Sequence, residues 1–349
     1  MDAKGYAALS KGAPLTEFSF QRREPGPRDV QIELMFCGIC HSDLHMVDND
    51  FGVSLYPMVP GHEMVGRVVR TGADVAKLRP GDMAAIGCFV DSCRTCPSCE
   101  EGLEQYCDAY ATPSFSAYER GSSTRVQGGF SSGYVVDERF ALKLPAGLDP
   151  ARAAPLLCGG ITTYSPLRHF GIGAGHRVGV FGLGGLGHLA VKFARAVGAH
   201  VVTFTTSPGK LEDAIRLGSH EVVLAADEAA VKAQAGSLDF ILDTIYADHG
   251  LDQELGLLRR DGTLCLLGIP NAPANFSAMG LVARRRRIAG SGVGGLPETQ
   301  EMLDFCGLHG IAAEIELLPV DQVNTAFERL KRNDVKYRFV LDLQSLSVR

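Results

Sequence analysis

Four cysteines lie close together in a chain of 349 residues. They fall within residues 93–107 and supply four thiolates: Cys93, Cys96, Cys99 and Cys107. In a reducing compartment a tight cluster of this kind favours metal ligation over disulfide bonds. Four thiolates close a tetrahedral zinc site and leave no position for a substrate, so the predicted zinc would hold a loop. An iron–sulfur cluster and free thiols are the alternatives.

Cysteine and histidine also occur in three separated segments. Cys40 follows a predicted strand, His62 and Glu63 follow a proline-rich segment, and Cys158 lies just before the nucleotide-binding region. Two thiolates and an imidazole suit a catalytic zinc whose fourth position stays open. Taken one at a time, each Cys or His is better explained as an ordinary core residue. The cysteines outside any motif are interpreted as buried apolar residues: Cys37, Cys88, Cys265 and Cys306.

A glycine-rich turn lies between a predicted strand at Arg177–Phe181 and a predicted helix. Its residues are Gly182, Leu183, Gly184, Gly185, Leu186 and Gly187. In this GxGxxG pattern the first glycine allows the tight turn, the second admits a pyrophosphate, and the third lets the helix pack on the strand. The helix N-terminus then offers free N–H groups to the phosphates. The pattern predicts a dinucleotide site, and a glycine-rich turn without a ligand is the alternative.

The end of the next predicted strand indicates which dinucleotide would bind. An NAD site usually has an acidic residue there for the ribose 2′-hydroxyl. Here Thr205, Thr206, Ser207 and Lys210 stand at that end, with no acid before Glu212. Hydroxyl groups and a lysine suit a 2′-phosphate, so NADP(H) is predicted. Alternatively, Ser207 only caps a helix and Lys210 is solvated.

The elements that must position these residues are of two kinds. Residues 151–289 alternate predicted strands and helices, which indicates an α/β fold with a doubly wound parallel sheet of the Rossmann type. Residues 1–150 have short apolar runs separated by Gly- and Pro-rich turns, typical of a β-rich domain. Residues 290–349 return to mixed structure, with Asp321 capping a helix and a terminal strand at 337–341.

Composition restricts the possible functions. With 46% hydrophobic and 21% charged residues, the chain is expected to fold. A net charge of −6 gives no general attraction to nucleic acid or to an anionic membrane. The most apolar stretch, residues 178–196, contains His188 and Lys192, which argues against a membrane span. Without a secretory signal in the sequence, the cytoplasm is the expected compartment.

The motifs together resemble the zinc-dependent medium-chain alcohol dehydrogenases, in particular their cinnamyl-alcohol-dehydrogenase-like branch. The resemblance spans essentially the whole chain. It implies that a GroES-like catalytic domain, residues 1–150 with 290–349, accompanies the Rossmann domain. The matching segments are residues 38–45, 59–63, 93–107, 158–167, 182–188 and 337–339.

The resemblance also implies roles at the metal. Cys40, His62 and Cys158 would ligate the catalytic zinc, while Glu63 would be the nearby carboxylate that can approach it. Asp43 would orient a ligand imidazole. The four clustered cysteines would hold a second, structural zinc.

Further roles concern the proton and the cofactor. Ser42 and His45 would relay the proton to solvent through the nicotinamide ribose. Thr162 would lie against the nicotinamide, and Arg338 near the cofactor phosphates. The implied reaction is reversible hydride transfer between NADPH and aromatic (cinnamyl-type) or medium aliphatic aldehydes, by a homodimer.

Two other classes of function are weighed against this one. A zinc-free quinone or enone reductase on the same fold would leave Cys40, His62 and Cys158 without a purpose. A non-enzymatic zinc module for a protein or nucleic-acid partner would require a basic face near residues 93–107, and the sequence has none there.

Overall fold

The structure is a computed structural model that describes residues 1–270 and 273–346. Within this part of the chain there are two compact units. The first comprises residues 1–161 and the C-terminal residues from 294 onward, and the second comprises residues 162–293. No helix in the described residues is long and apolar enough to cross a membrane.

The N-terminal part of the first unit is built mainly from short strands. They are β1 (Asp2–Ala7), β2 (Thr16–Gln21), β3 (Asp29–Ile39), β4 (Met64–Thr71), β5 (Met83–Ile86), β6 (Phe89–Asp91), β7 (Thr112–Pro113), β8 (Ala117–Tyr118), β9 (Arg125–Val126), β10 (Gly133–Asp137) and β11 (Leu142–Lys143). Its helices are α1 (His41–Val47), α2 (Pro97–Glu100) and α3 (Pro150–Ala153), with 3-10 turns at Glu104–Tyr106, Glu138–Phe140 and Ala154–Leu157.

Strands and helices alternate in the second unit, after helix α4 (Gly159–His169) leads into it. In chain order they are β12 (Arg177–Phe181), α5 (Gly187–Ala196), β13 (His200–Thr205), α6 (Leu211–Leu217), β14 (Glu221–Leu224), α7 (Glu228–Ala233), β15 (Leu238–Asp243), α8 (Asp252–Leu257), β16 (Leu258–Leu266), α9 (Ala278–Val282) and β17 (Arg287–Gly290). The chain then returns to the first unit through α10 (Leu296–His309), β18 (Ile315–Pro319), α11 (Val323–Lys331) and β19 (Arg338–Asp342).

The main sheet of the first unit is organised around β3. This strand pairs antiparallel with β4, with β10 and, at its C-terminal end, with β19. Among the described residues the path of strands is β11-β5-β4-β3-β19-β18. Ile32 and Leu34 on β3, like Phe339 and Val340 on β19, are almost completely buried. The prediction of a β-rich first domain is therefore confirmed.

Residues 151–161, predicted to begin the nucleotide-binding domain, belong to the first unit instead. Helix α3 and the turn Ala154–Leu157 pack on β3 and β4. The Arg152 guanidinium donates a hydrogen bond to the carbonyl oxygen of Ala313, in the C-terminal part of the same unit. These contacts keep the segment that leads to Cys158 on the main sheet. The return to the first unit likewise comes after residue 293 rather than after residue 289.

The sheet of the second unit is parallel throughout its described strands, in the order β14-β13-β12-β15-β16-β17. This is the doubly wound order of a Rossmann domain, so that prediction is confirmed. Helix α5 buries Leu189, Ala190, Phe193 and Ala194 at the predicted helical spacing. The apolar core therefore holds the helix that follows the glycine turn against the sheet.

The predicted helix cap at Asp321 is wrong, and the one at Ser207 is confirmed only in its position. Ser207 stands at the cap position with Pro208 directly after it, but it precedes a 3-10 turn at Pro208–Lys210, and its side chain makes no capping hydrogen bond. Asp321 lies inside another 3-10 turn, and Gln322 stands at the cap position of α11. At Asp321 the 3-10 turn therefore occupies the position that the predicted cap would need.

Candidate zinc and dinucleotide sites

Four side chains with metal-binding atoms meet in the first unit. They are Cys40 after β3, His62 and Glu63 before β4, and Cys158 before α4. Their ligand atoms all lie within 4.8 Å of one another. The antiparallel pairing of β3 with β4 brings the first three together, and Cys158 follows the segment that packs on these strands. The structure therefore places side by side the residues that the resemblance implied as zinc ligands.

The fully buried carboxylate of Asp43 orients this group. One oxygen, Oδ2, accepts the backbone N–H of Cys40 at 2.9 Å. The other, Oδ1, accepts the N–H of Gly61 at 3.0 Å and lies 3.0 Å from Nδ1 of His62. A proton on Nδ1 leaves Nε2 as the lone-pair atom that faces the cluster.

Glu63 and Arg338 form a buried ion pair that the sequence did not indicate. The Nη2 group of Arg338, on β19, donates to Oε1 of Glu63, and both side chains are at most 5% exposed. Burial raises the pKa of Glu63 to about 7, although the charge of Arg338 acts in the opposite direction. Oε2 of Glu63 has no hydrogen-bond partner in the described residues. The predicted contact of Arg338 with cofactor phosphates stays a prediction.

The thiols of this cluster are linked to one another. A hydrogen bond between Cys40 and Cys158 lowers the pKa of Cys40 and raises that of Cys158. Cys88, interpreted above as a buried apolar residue, is half-buried, and a hydrogen bond with Cys158 lowers its pKa. No motif marked Cys88, because only the fold brings it to Cys158. A thiol that ionises readily, an imidazole nitrogen with a lone pair and a carboxylate oxygen without a hydrogen-bond partner in the described residues fit a zinc ion.

Ser42 and His45 lie on one face of α1, three residues apart. Ser42 is exposed, and its Oγ lies 3.7 Å from Sγ of Cys40. His45 Nδ1 lies 2.7 Å from Oδ2 of Asp50, an exposed carboxylate that the sequence did not single out. No hydrogen bond joins Ser42 to His45 in the described residues, so their relay stays a prediction.

The four clustered cysteines also meet, with ligand atoms within 4.8 Å of one another. Backbone N–H groups point at their sulfur atoms: that of Cys93 donates to Cys107 at 3.3 Å, and that of Asp108 to Cys96 at 3.4 Å. A backbone hydrogen bond from Thr95 lowers the pKa of Cys93 to about 6. All ten cysteines are free thiols. This loop, between β6 and β7, therefore fits a closed four-thiolate zinc site.

The three glycines of the dinucleotide motif differ in their surroundings. Gly182 has a φ of 85°, which favours glycine, and a Cβ on Gly187 would lie 1.9 Å from the Gly182 carbonyl oxygen. A Cβ on Gly184 would meet no atom of the described residues within 4 Å. The fold therefore needs the outer two glycines, whereas the middle one leaves room for a ligand.

The residues predicted for the 2′-phosphate lie near this turn. Lys210 Nζ donates to the carbonyl oxygen of Leu183 at 2.9 Å, so its charge stands beside the glycines. Thr206 is exposed and Ser207 is half-buried. Thr205 is buried, and its Oγ1 accepts the N–H of Ser207, so it shapes the turn. Thr162 is buried in α4, and its contact with the nicotinamide stays a prediction.

Known families account for both parts of this architecture. Residues 26–146 match the alcohol dehydrogenase GroES-like domain, and residues 185–307 match the zinc-binding dehydrogenase family. The chain belongs to the zinc-dependent medium-chain alcohol dehydrogenases. This dehydrogenase is 50% identical to aldehyde reductase YahK of Escherichia coli, over 99% of this chain and 100% of that protein.

Solved structures place the dehydrogenase near the cinnamyl alcohol dehydrogenases. The enzyme of Sorghum bicolor superposes with a TM-score of 0.95 at 44% identity, covering 100% of this chain and 99% of the other. That of Helicobacter pylori, complexed with NADP(H), gives 0.92 at 36% identity, with the same coverage. The predicted family, branch and fold are confirmed.

Proposed function

We propose that the chain is a zinc- and NADP(H)-dependent alcohol dehydrogenase that acts as an aldehyde reductase. Its substrates would be aromatic (cinnamyl-type) or medium aliphatic aldehydes and the matching alcohols. The observation that carries the proposal is the buried group Cys40, His62, Glu63 and Cys158, whose donor atoms fit zinc. The relatives named as aldehyde reductase and cinnamyl alcohol dehydrogenase, one of them complexed with NADP(H), support the same reaction.

Cys40, His62 and Cys158 would hold the catalytic zinc, and Glu63 would be the carboxylate that can approach it. When bound, zinc supplies Lewis acidity to the substrate oxygen and NADPH supplies a hydride. Arg338 compensates the charge of Glu63 inside the protein, since the two form a buried ion pair. An uncompensated carboxylate beside two thiolates would be costly at this depth.

Ser42 and His45 would handle the proton of the substrate oxygen. Ser42 Oγ carries a proton next to Cys40 Sγ, at the edge of the zinc-ligand group. His45 shares the proton on Nδ1 with the exposed carboxylate of Asp50. An imidazole paired with a solvated carboxylate can exchange its proton with water, so no charge would stay buried.

The second unit would bind NADPH. Residues 182–187 and the N-terminus of α5 would hold the pyrophosphate, because Gly184 leaves room for a ligand and the positive end of the helix dipole favours phosphate. The 2′-phosphate would be bound by Thr206, Ser207 and Lys210. Thr205 would fix the shape of this turn, because its Oγ1 accepts the N–H of Ser207. The four-cysteine loop of the first unit would hold the structural zinc.

The enzyme would work in the cytoplasm as a homodimer. Ten free cysteines suit a reducing compartment. The family resemblance implies pairing of the nucleotide-binding sheets, and β17 lies at the edge of its sheet in the described residues. Light scattering on the purified enzyme should give twice the 37.3 kDa of one chain.

The proposal is tested by following the absorbance of NADPH with cinnamaldehyde and benzaldehyde, in parallel with NADH. We expect reduction with NADPH to be much faster, to stop after treatment with a zinc chelator, and to return when zinc is added. Turnover that continues after metal analysis shows no zinc would instead support the zinc-free reductase. Absence of turnover with either cofactor would contradict the substrate class.

A further inference from the structure

A third group of metal-binding side chains lies in the second unit. It consists of Asp243 at the end of β15, His249 on the loop that follows, and Glu254 on α8. Their ligand atoms all lie within 4.8 Å of one another. His249 Nε2 is 3.1 Å from Asp243 Oδ2 and 3.3 Å from Glu254 Oε1. A single imidazole nitrogen thus faces two carboxyl groups.

The contact of the second ring nitrogen, Nδ1, shows which nitrogen of His249 carries a proton. Nδ1 of His249 lies 2.8 Å from the carbonyl oxygen of Ala247, which can only accept a hydrogen bond, so Nδ1 carries a proton. When the imidazole is neutral and both carboxyl groups are ionised, the lone pair of Nε2 points at carboxylate oxygens, which repel it. A cation bound by Nε2 and both carboxylates removes this repulsion. Histidines that ligate metals show the same bond from their other nitrogen to a backbone carbonyl.

The two carboxyl groups lack other positive partners. Asp243 is 2% exposed and Glu254 is 3% exposed. Both carboxyl groups pair with His249, and in the described residues neither forms an ion pair with a lysine or an arginine. Oε2 of Glu254 is buried and has no hydrogen-bond partner in that part of the chain. An unpaired buried carboxylate oxygen next to this imidazole fits a divalent cation.

Backbone hydrogen bonds and core packing fix the elements that carry these ligands. The carbonyl oxygen of Asp243 accepts the N–H groups of Leu267 and Gly268, at the carboxyl edge of the sheet. Leu251 and Leu255 anchor the start of α8 in the apolar core. Side chains on elements fixed in this way can hold a defined ligand geometry. The His249 side chain is 21% exposed, which gives an ion access from solvent.

We propose that Asp243, His249 and Glu254 bind a first-row divalent metal ion, such as Zn²⁺ or Co²⁺, separately from the two cysteine-containing sites. One imidazole with two carboxylates favours these ions over Mg²⁺ and Ca²⁺, which prefer oxygen ligands alone. The ion would join β15, the loop at 244–251 and α8. It would lie near Thr244, whose hydroxyl donates to the carbonyl of Phe181 just before the glycine turn.

The test is a titration with Co²⁺ of enzyme that metal analysis shows to hold two zinc ions per chain, followed by calorimetry and by absorption spectroscopy. We expect one further ion per chain, without the sulfur-to-cobalt charge-transfer band that a cysteine site gives. His249→Gln should weaken this binding at least about tenfold, because it removes the only nitrogen ligand. Asp248→Asn is the matched control: it removes an exposed carboxylate from the same loop and should leave the binding unchanged.

Two results would overturn the proposal. If the enzyme takes up no further ion, a protonated His249 alone bridges the carboxylates. If a further ion binds equally well to His249→Gln, it binds elsewhere. Glu254→Gln provides a second variant. If this change in the core prevents folding, the result with His249→Gln decides whether the proposal stands. A cobalt spectrum with nitrogen and oxygen ligands also separates this site from the proposed catalytic zinc, whatever the activity of the enzyme.

Discussion

At the scale of single residues, Asp43 joins the two segments that carry Cys40 and His62. Its two oxygens bind the backbone of Cys40, the backbone of Gly61 and the ring of His62. This buried carboxylate thus fixes the backbone of Cys40 and the ring orientation of His62. Its effect on the metal would be indirect, through the positions of these ligands.

Asp43→Asn tests this positioning role. The amide NH₂ cannot accept a hydrogen bond, so one backbone N–H loses its partner and the hold on His62 weakens. We expect the zinc affinity of the Cys40 group to fall about 10- to 100-fold, measured by competition with a chromogenic chelator. Asp50→Asn removes an exposed carboxylate nearby and should leave zinc affinity unchanged. Equal affinities for both variants would contradict the role of Asp43.

Lys210 is the residue on which the nucleotide preference depends most directly. Lys210→Ala removes a charged hydrogen-bond donor from the proposed 2′-phosphate site, and such a bond contributes about 1.5–3 kcal/mol. We expect the KM for NADPH to rise about tenfold or more, with little change for NADH. Lys232→Ala, an exposed lysine of the same unit, is the control. An equal rise for both cofactors would remove Lys210 from the specificity site.

At the scale of elements, the glycine turn serves folding and binding through different residues. Gly187 lets α5 pack against the turn, because a side chain there would collide with the carbonyl of Gly182. Gly184 has open space at the same turn. The two glycines should therefore respond differently to the same substitution.

Gly187→Ala should lower the free energy of unfolding by about 1–3 kcal/mol, because the backbone must shift to admit a methyl group. Gly184→Ala should leave unfolding nearly unchanged but raise the Kd for NADPH about tenfold, since its methyl group would stand where the phosphates approach. Thermal unfolding and fluorescence titration with NADPH measure the two effects. Unchanged NADPH binding by Gly184→Ala would argue against this turn as the dinucleotide site.

At the scale of the whole molecule, the first unit is discontinuous in sequence and the second is continuous. Strand β19 completes the main sheet of the first unit, where it pairs with β3 and β18. The same strand carries Arg338, the partner of Glu63. The first unit therefore depends on residues that follow the whole second unit in the chain.

Expression of fragments tests this dependence. Residues 162–293 contain a complete parallel sheet and its core, so this fragment should fold alone, with cooperative unfolding by circular dichroism. Residues 1–161 should fail to fold alone, because β3 lacks its partner β19 and the buried carboxylate of Glu63 lacks Arg338. Co-expression with residues 294–349 should restore solubility and zinc content. A folded, zinc-binding 1–161 fragment would contradict the role of β19.

The sequence alone predicted the features whose geometry is local in the chain. The turn at residues 182–187 follows a strand and precedes a helix, so neighbouring residues determine its shape, and the structure has both elements there. The cysteines at 93–107 are close enough in sequence to meet around one metal. The prediction of Asp321 as a helix cap was wrong, because a 3-10 turn, which is frequent at helix N-termini, precedes α11.

The tertiary structure decided the contacts between distant residues. Cys40, His62 and Cys158 were linked at the sequence level through the family resemblance, and the pairing of β3 with β4 brings the first two together. The ion pair of Glu63 with Arg338 joins residues 275 positions apart and had no sequence signal. The group of Asp243, His249 and Glu254 forms because a loop and a short helix pack beside the end of a strand. Such contacts depend on the packing of whole elements, whereas local motifs depend mainly on the backbone between adjacent residues.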